Sequence, residues 1–317
     1  MCYNKTKYFS GSGAMFAAKV KSFAKLNLSL NIAGASGGYH LLDSVVTSID
    51  IYDTVCTKPR DDRLINVYMH GLNSETIPPE KNNAVKAGEA FVNAFSTRGA
   101  DVEIYKDIPM GAGLGGSSAD AAGVLNALAK LYKIKDRAKL KELADTLGSD
   151  TGYMLSGGFA RISGRGERVE PLGACPPLHF LLFLPRTPVS TAECFAEYDK
   201  APDALRADSA RMERALREGN FLQIAQNIYN ALQAPACRLN DETAQALEAA
   251  KAFSPSAAAV TGSGSAVFAL FESEELCRWA KSRYKGKLKT RIVKSVAPAA
   301  KRAGIKNPFV LGEDEGK

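Results

Sequence analysis

The run Pro109-Met110-Gly111-Ala112-Gly113-Leu114-Gly115-Gly116-Ser117-Ser118-Ala119-Asp120 carries the clearest chemistry in the chain. Four glycines in positions 111–116 remove Cβ atoms and permit positive φ, so successive backbone N–H groups can turn toward one anion. From Ser118 onward Ala121, Val124, Leu125, Leu128 and Leu131 recur at helical spacing. That pattern predicts a helix whose unpaired N–H groups and positive dipole end face the same point as the loop. A plain flexible connector is the alternative, but connectors rarely hold Pro, Met and Leu among their glycines or abut a patterned helix. No Gly-Lys-Ser/Thr closes the run, so it is not a Walker A loop. It also lacks the G-x-G-x-x-G spacing of dinucleotide folds. Ser118 is placed either to cap the helix or to offer its hydroxyl to a phosphate or to Mg²⁺.

Phosphoryl transfer needs positioning, charge neutralisation and a group that orients or deprotonates the attacking hydroxyl. Asp150 follows a helical pattern that ends at Leu147-Gly148 and belongs to no apolar repeat. Its carboxylate is therefore free to enter a cleft, although a turn or cap role is the ordinary one for an isolated Asp. Lys25 interrupts an apolar strand, so it is either a solvent-facing edge residue or an ammonium with a task. Asn27, two residues on, shares its face of the strand.

The glycine run, followed by Asp120-Ala121-Ala122, resembles the phosphate loop of the GHMP kinase superfamily, the small-molecule kinases of galactose, homoserine, mevalonate and phosphomevalonate. Four further blocks fit in family order: Phe23-Ala24-Lys25-Leu26-Asn27-Leu28, Gly38-Tyr39-His40, Leu147-Gly148-Ser149-Asp150 and Thr261-Gly262-Ser263-Gly264-Ser265. Together they span about residues 20 to 270. The pattern is most similar to the branch that phosphorylates the 2-hydroxyl of 4-diphosphocytidyl-2-C-methyl-D-erythritol in the non-mevalonate route to isoprenoids. The resemblance implies an α+β, two-domain fold, ribosomal-protein-S5-like in its N-terminal half and ferredoxin-like in its C-terminal half, with the active site between. It implies ATP and Mg²⁺ as cofactors, with Ser118 near the metal and Pro109 to Ala119 around the phosphates. Asn83 and Lys106 would lie near the adenosine. Asp150 would be the catalytic base and Lys25 the cation beside it. Asn27 and Asp150 would touch the acceptor, Tyr39 would stack on a cytidine base, His40 would hydrogen-bond it, and Phe195 would form the opposite wall. Thr261, Gly262, Ser263 and Gly264 would close the phosphate end. The chain departs from the family twice: Ala35-Ser36-Gly37 stands where an Arg and Asp commonly precede Gly-Tyr-His, and Thr151-Gly152 stands where Val-Pro commonly follows the aspartate. Loss of that proline removes a φ constraint beside Asp150.

At 317 residues with 45% apolar content the chain suits a globular enzyme of two packed domains. We expect a flexible leader over 1–14, with Met15 a possible start, an ATP-binding domain over 15–172 and a second domain over 173–317, divided in the proline-rich stretch Pro171 to Pro177. Strands are expected from Ala17 to Thr57 with a turn at Gly34 to Gly38, then at Leu64 to Met69, Val102 to Tyr105, Phe180 to Leu184, Ala257 to Val260, Ala266 to Phe271 and Thr290 to Val293. Helices are expected at Asn83 to Phe95, Leu140 to Leu147 with Gly148 as cap, Ala192 to Tyr198, Phe221 to Leu232, Glu242 to Phe253 and Glu274 to Tyr284. No apolar run is long enough for a membrane span and no signal core follows Met1, which leaves the cytoplasm as the expected compartment. The six cysteines form no C-x-x-C pair, so buried thiols are expected rather than a metal site or disulfides. A net charge of +7 suits polyanionic small substrates, because the cations are spread over helix faces rather than gathered for nucleic acid. A monomer or homodimer fits these features. Two other readings stand beside the cytidyl kinase: a GHMP kinase acting on mevalonate, homoserine or a sugar, and a nucleotide-binding protein without catalysis. The last would need no Asp150.

Overall fold

A computed structural model describes residues 17–71, 78–202 and 207–296; the expected leader lies outside the described residues. The chain opens with a long antiparallel hairpin, β1 (Ala18–Ser36) and β2 (Tyr39–Pro59), turning at Gly37 and Gly38, both with positive φ. The middle of β1 is buried: α2 (Gly116–Leu131) packs on the hairpin, Ala24, Leu26 and Leu28 enter the main core, and β2 and β8 (Tyr229–Asn230) pair with the strand's edges. Register shifts between Phe23 and Ala24 and between Asn27 and Ser29 bracket the stretch that holds Lys25 and Asn27. Such irregularities re-aim side chains locally.

β3 (Ile65–His70) and β4 (Ala100–Tyr105) extend the sheet on one side of β2, with α1 (Asn83–Phe95) covering them. The N-cap side chain of Asn82 accepts from the Ala84 N–H, and Ala84, Ala87, Phe91 and Val92 turn one stripe of α1 inward. Burying a residue such as Phe91 contributes roughly 2 kcal/mol relative to leaving it exposed. α3 (Arg137–Leu147) and the single turn α4 (Thr151–Met154) follow α2. The hairpin β5 (Phe159–Gly164) and β6 (Arg168–Gly173) then returns along the Tyr39 end of β2.

In the second half, β7 (His179–Leu184), β9 (Ala257–Val260), β10 (Val267–Phe271) and β11 (Lys289–Val296) form an antiparallel group. Around them lie α5 (Thr191–Lys200), α6 (Ser209–Glu218), α7 (Phe221–Gln226), α8 (Gln233–Leu239), α9 (Asp241–Lys251) and α10 (Glu274–Arg283). β11 pairs with β7 along its length and, through Ser295 and Val296, with β2, so one sheet runs through both halves. A shared core follows: Leu26, Ile49 and Phe159 cluster with Phe180, Leu182 and Phe268.

Three local expectations change. The helix expected over Phe221 to Leu232 stops at Gln226 with a cap at Asn227, because the chain then extends into β8 beside β1 before α8 begins. α2 starts at Gly116 with Gly115 as its cap, so Ser118 sits in the first turn and is not the N-cap. Gly148 does end α3, but in extended backbone that any residue adopts. Its special feature is space, since a Cβ there would lie 3.2 Å from Thr151 Oγ1 and 3.4 Å from Ser118 Oγ. Among the described cysteines Cys56, Cys194 and Cys277 are buried free thiols, and burial pushes Cys56 up to about 11.

Candidate active site

Strand alternation drives Ala24, Leu26 and Leu28 into the core and leaves Lys25 and Asn27 on the opposite face, under the floor of a cleft of about 870 Å³. Lys25 pairs with Ser48 of β2 on one side and with the Leu114 carbonyl through its N–H on the other, and its side chain is only 7% exposed, which removes the edge-lysine alternative. A buried ammonium needs partners. Lys25 Nζ donates to Asn27 Oδ1 at 2.6 Å and lies 3.2 Å from Asp150 Oδ2. The Asn27 amide in turn donates to Ser44 Oγ, and its backbone N–H donates to Thr261 Oγ1.

Asp150 occupies the cap position of α4 in helical backbone, yet its side chain makes no capping hydrogen bond. Its carboxylate points instead to Lys25 and into the cleft. The neighbouring Gly152 has a steric reason. A Cβ there would lie 2.3 Å from Asp145 Oδ1 and 3.4 Å from Lys141 Nζ, the ion pair of α3 that fills this space. The missing proline therefore leaves no gap, and the turn is held by the Thr151 N–H donating to the Gly148 carbonyl.

The glycine loop is clamped from both halves of the molecule. The Leu114 carbonyl accepts from the Lys25 N–H, and the Ala112 carbonyl accepts from the Ala266 N–H. Gly111, Gly113 and Gly115 have positive φ. A Cβ on Gly113 would meet the Thr261 carbonyl oxygen at 2.2 Å, and one on Gly115 would meet Met154 Cε at 2.3 Å. The Gly115 cap supplies no side-chain acceptor, so first-turn N–H groups of α2 lack the usual cap partner beside the cleft. A helix start of this kind attracts phosphate. Ser117 and Ser118 line the cleft here, and Asn83 donates to Ser117 Oγ, tying the start of α1 to the loop. Met110 is exposed and Ala119 is buried; neither lines the cleft.

Lys106 is held beneath the loop rather than in the cleft lining. Its ammonium donates to Asp53 and, at 2.6 Å, to Asp120. Burial disfavours that ammonium, but the two carboxylates together outweigh burial and raise its pKa. Asp53 also accepts from the N–H groups of Asp107 and Ile108, fixing the chain as it enters the loop.

The far side of the cleft belongs to α5. Thr191, Ala192, Phe195, Ala196 and Asp199 recur on one helical face and all line it. Thr191 Oγ1 is 2.9 Å from Ser263 Oγ, so the start of α5 meets the turn Thr261 to Ser265, which also lies against the glycine loop. The Asn230 amide donates to the carbonyls of Val260 and Gly262 and holds that turn from behind. At the other end His40 stacks on Phe195, with ring centroids 4.6 Å apart, and its Nε2 lies 2.7 Å from Asp199 Oδ1. Tyr39 is exposed at the hairpin tip with the Arg165 guanidinium 4.1 Å above its ring. Arg165 and Asp199 both line the cleft and neither was expected from sequence. Asp199 carried a readable signal, lying one helical turn after Phe195, whereas nothing local marks Arg165 in the β5–β6 turn.

Among the described residues no three acidic, histidine or cysteine side chains gather as a metal cage, and no helix is long and apolar enough to cross a membrane. Magnesium in phosphoryl transfer needs only one or two protein oxygens beside phosphate and water, and the Ser118 hydroxyl on this cleft suits that requirement.

Comparison with known proteins agrees with this arrangement. The GHMP kinases N terminal domain matches residues 82–160, and the GHMP kinases C terminal domain matches residues 212–279. The 4-diphosphocytidyl-2-C-methyl-D-erythritol kinase of Pelotomaculum thermopropionicum is 37% identical over 266 residues, covering 83% of this chain and 92% of that protein. The protein of the same name from Desulfitobacterium hafniense is 36% identical, covering 80% and 87%. A crystal structure of 4-(cytidine 5'-diphospho)-2C-methyl-D-erythritol kinase superposes with a TM-score of 0.72 at 28% identity, over 88% of this chain and all of that one. Homoserine kinase from Cytophaga hutchinsonii shares the fold at 17% identity and a TM-score of 0.68.

Proposed function

Because the chain belongs to the 4-diphosphocytidyl-2-C-methyl-D-erythritol kinase family of GHMP kinases, we infer that it transfers the γ-phosphoryl group of ATP to the 2-hydroxyl of that nucleotide-linked sugar alcohol. The products are the 2-phosphate and ADP, a step of non-mevalonate isoprenoid biosynthesis. The observation that carries the assignment of roles is the Lys25–Asp150 contact on the same cleft as an unobstructed helix start.

In this reading the loop N–H groups and the α2 terminus hold the β- and γ-phosphates, with Ser117 and Ser118 hydroxyls beside them. Asp150 accepts the proton of the 2-hydroxyl as its oxygen attacks the γ-phosphorus, and the bond to the ADP oxygen breaks. Lys25 neutralises the alkoxide and the charge spread over the phosphoryl oxygens, while Asn27 fixes the direction of its ammonium. A bound Mg²⁺ would neutralise phosphate charge, with the Ser118 hydroxyl as its protein oxygen. The acceptor extends along α5, its diphosphate between the Thr261–Gly264 turn and the opposite wall and its base at Tyr39, His40 and Phe195. Lys106 acts through the loop it supports, and Asn83 through Ser117.

Mevalonate, homoserine and simple sugars lack anything to fill the aromatic end of the cleft, which makes a different acceptor the weaker reading. A steady-state assay with ATP, Mg²⁺ and these alcohols tests it. Turnover of the cytidyl acceptor is expected at least a hundredfold above the others, and preference for mevalonate or homoserine would overturn the assignment.

A further inference from the structure

We propose that Asp199 is a positioning residue that makes the acceptor site read cytosine rather than uracil, by fixing which nitrogen of His40 carries the proton. The inference rests on the cytidyl-acceptor reading. His40 lies on Phe195 and presents Nε2 to Asp199 Oδ1 at 2.7 Å. An ionised carboxylate only accepts, so this bond places the hydrogen of a neutral imidazole on Nε2 and leaves Nδ1 bare. A bare ring nitrogen accepts. Cytosine carries a donor, its exocyclic amino group, where uracil carries a carbonyl acceptor. The same ring would face uracil lone pair to lone pair. The stack on Phe195 blocks rotation about the ring plane, so the two contacts together determine both the plane and the polarity of His40. Asp199 reaches this point because it lies four residues after Phe195 on the cleft face of α5.

The test measures binding of cytidine 5'-diphosphate and uridine 5'-diphosphate by titration calorimetry to the full chain, and turnover of the cytidyl acceptor, in wild type, Asp199→Ala and Asp199→Glu. We expect the alanine variant to lose about tenfold of the cytidine-over-uridine preference, as loss of one oriented hydrogen bond allows. That loss should appear in the acceptor KM rather than in kcat, with the KM for ATP as internal control, and glutamate should restore part of it. Equal weakening of both diphosphates in Asp199→Ala would overturn the proposal and leave Asp199 a structural residue. So would a wild type that phosphorylates the cytidyl acceptor yet binds both diphosphates alike. A wild type that neither binds cytidine 5'-diphosphate nor phosphorylates the acceptor would overturn the acceptor reading itself, and this proposal with it.

Discussion

Lys25 and Asp150 depend on one another. The ammonium is buried and must be compensated, and the carboxylate that compensates it makes no capping hydrogen bond to its own turn. Asp150→Asn should therefore lower kcat by about a hundredfold or more, because the amide keeps the shape but cannot take the hydroxyl proton. Nucleotide affinity, read by titration with a non-hydrolysable ATP analogue, should hardly change, and near-normal kcat would remove the general-base role. Lys25→Ala should also reduce kcat more than it raises the KM for ATP, since its charge matters most as negative charge develops on the transferring group. If only the KM for ATP rose, Lys25 would be a simple phosphate contact. Both residues were legible in sequence as breaks in a local pattern, a lysine in an apolar strand and an aspartate after a finished helix, but their expected roles came from the family resemblance. Arg165 was not, since its partner Tyr39 lies in a different hairpin and only the pairing of β5 with β2 brings them together.

The glycine loop is shaped both by its own composition and by the element it packs against. Its composition announced close backbone approach and positive φ, and both are present. What composition did not announce is the neighbour: Gly113 packs against the Thr261 to Gly264 turn of the other half, not against open space reserved for nucleotide alone. Gly113→Val should thus weaken ATP binding by about tenfold or more and also lower the melting temperature, because the branched side chain would collide with the Thr261 carbonyl and disfavour the observed φ. Unchanged ATP affinity in a folded variant, checked by titration and circular dichroism, would return the loop to a connector. Long periodic elements such as α1 and the β1–β2 hairpin were readable almost to their ends. The β5–β6 hairpin was not, because its residues alternate weakly and its register is set by β2 rather than by its own pattern. α6 went unread for a related reason, since its narrow apolar stripe of Met212, Ala215 and Leu216 is carried among many charges.

Across the whole molecule, the loop is positioned by contacts that cross between halves, and two charged groups near its entrance lie at that junction. Arg291 on β11 makes a two-point ion pair with Asp107, at 3.0 and 2.8 Å, beside the buried cluster of Asp53, Lys106 and Asp120. That cluster joins β2, the entrance to the loop and α2, but it holds two carboxylates against one ammonium. Burial raises the Asp120 carboxyl well above its ordinary value of 3.8; Lys106 opposes that rise and Asp53 reinforces it. One of its oxygens, Oδ1, has no hydrogen-bond partner among the described residues. The sign follows. Because the folded state holds this proton more tightly than the unfolded chain, Asp120 lowers stability progressively as pH rises from its ordinary value toward its folded one, and the loss persists above that. Asp120→Asn removes the ionisation while leaving Asp53 to pair with Lys106. Its melting temperature should match wild type at about pH 4 and exceed it by a few degrees at about pH 8, measured by scanning calorimetry at both. A variant that matches wild type at about pH 4 but is less stable at about pH 8 would mean that the attraction between the ionised Asp120 and Lys106 outweighs the burial of the second carboxylate. The cluster would then be a net source of stability rather than a strain accepted to hold the glycine loop in place.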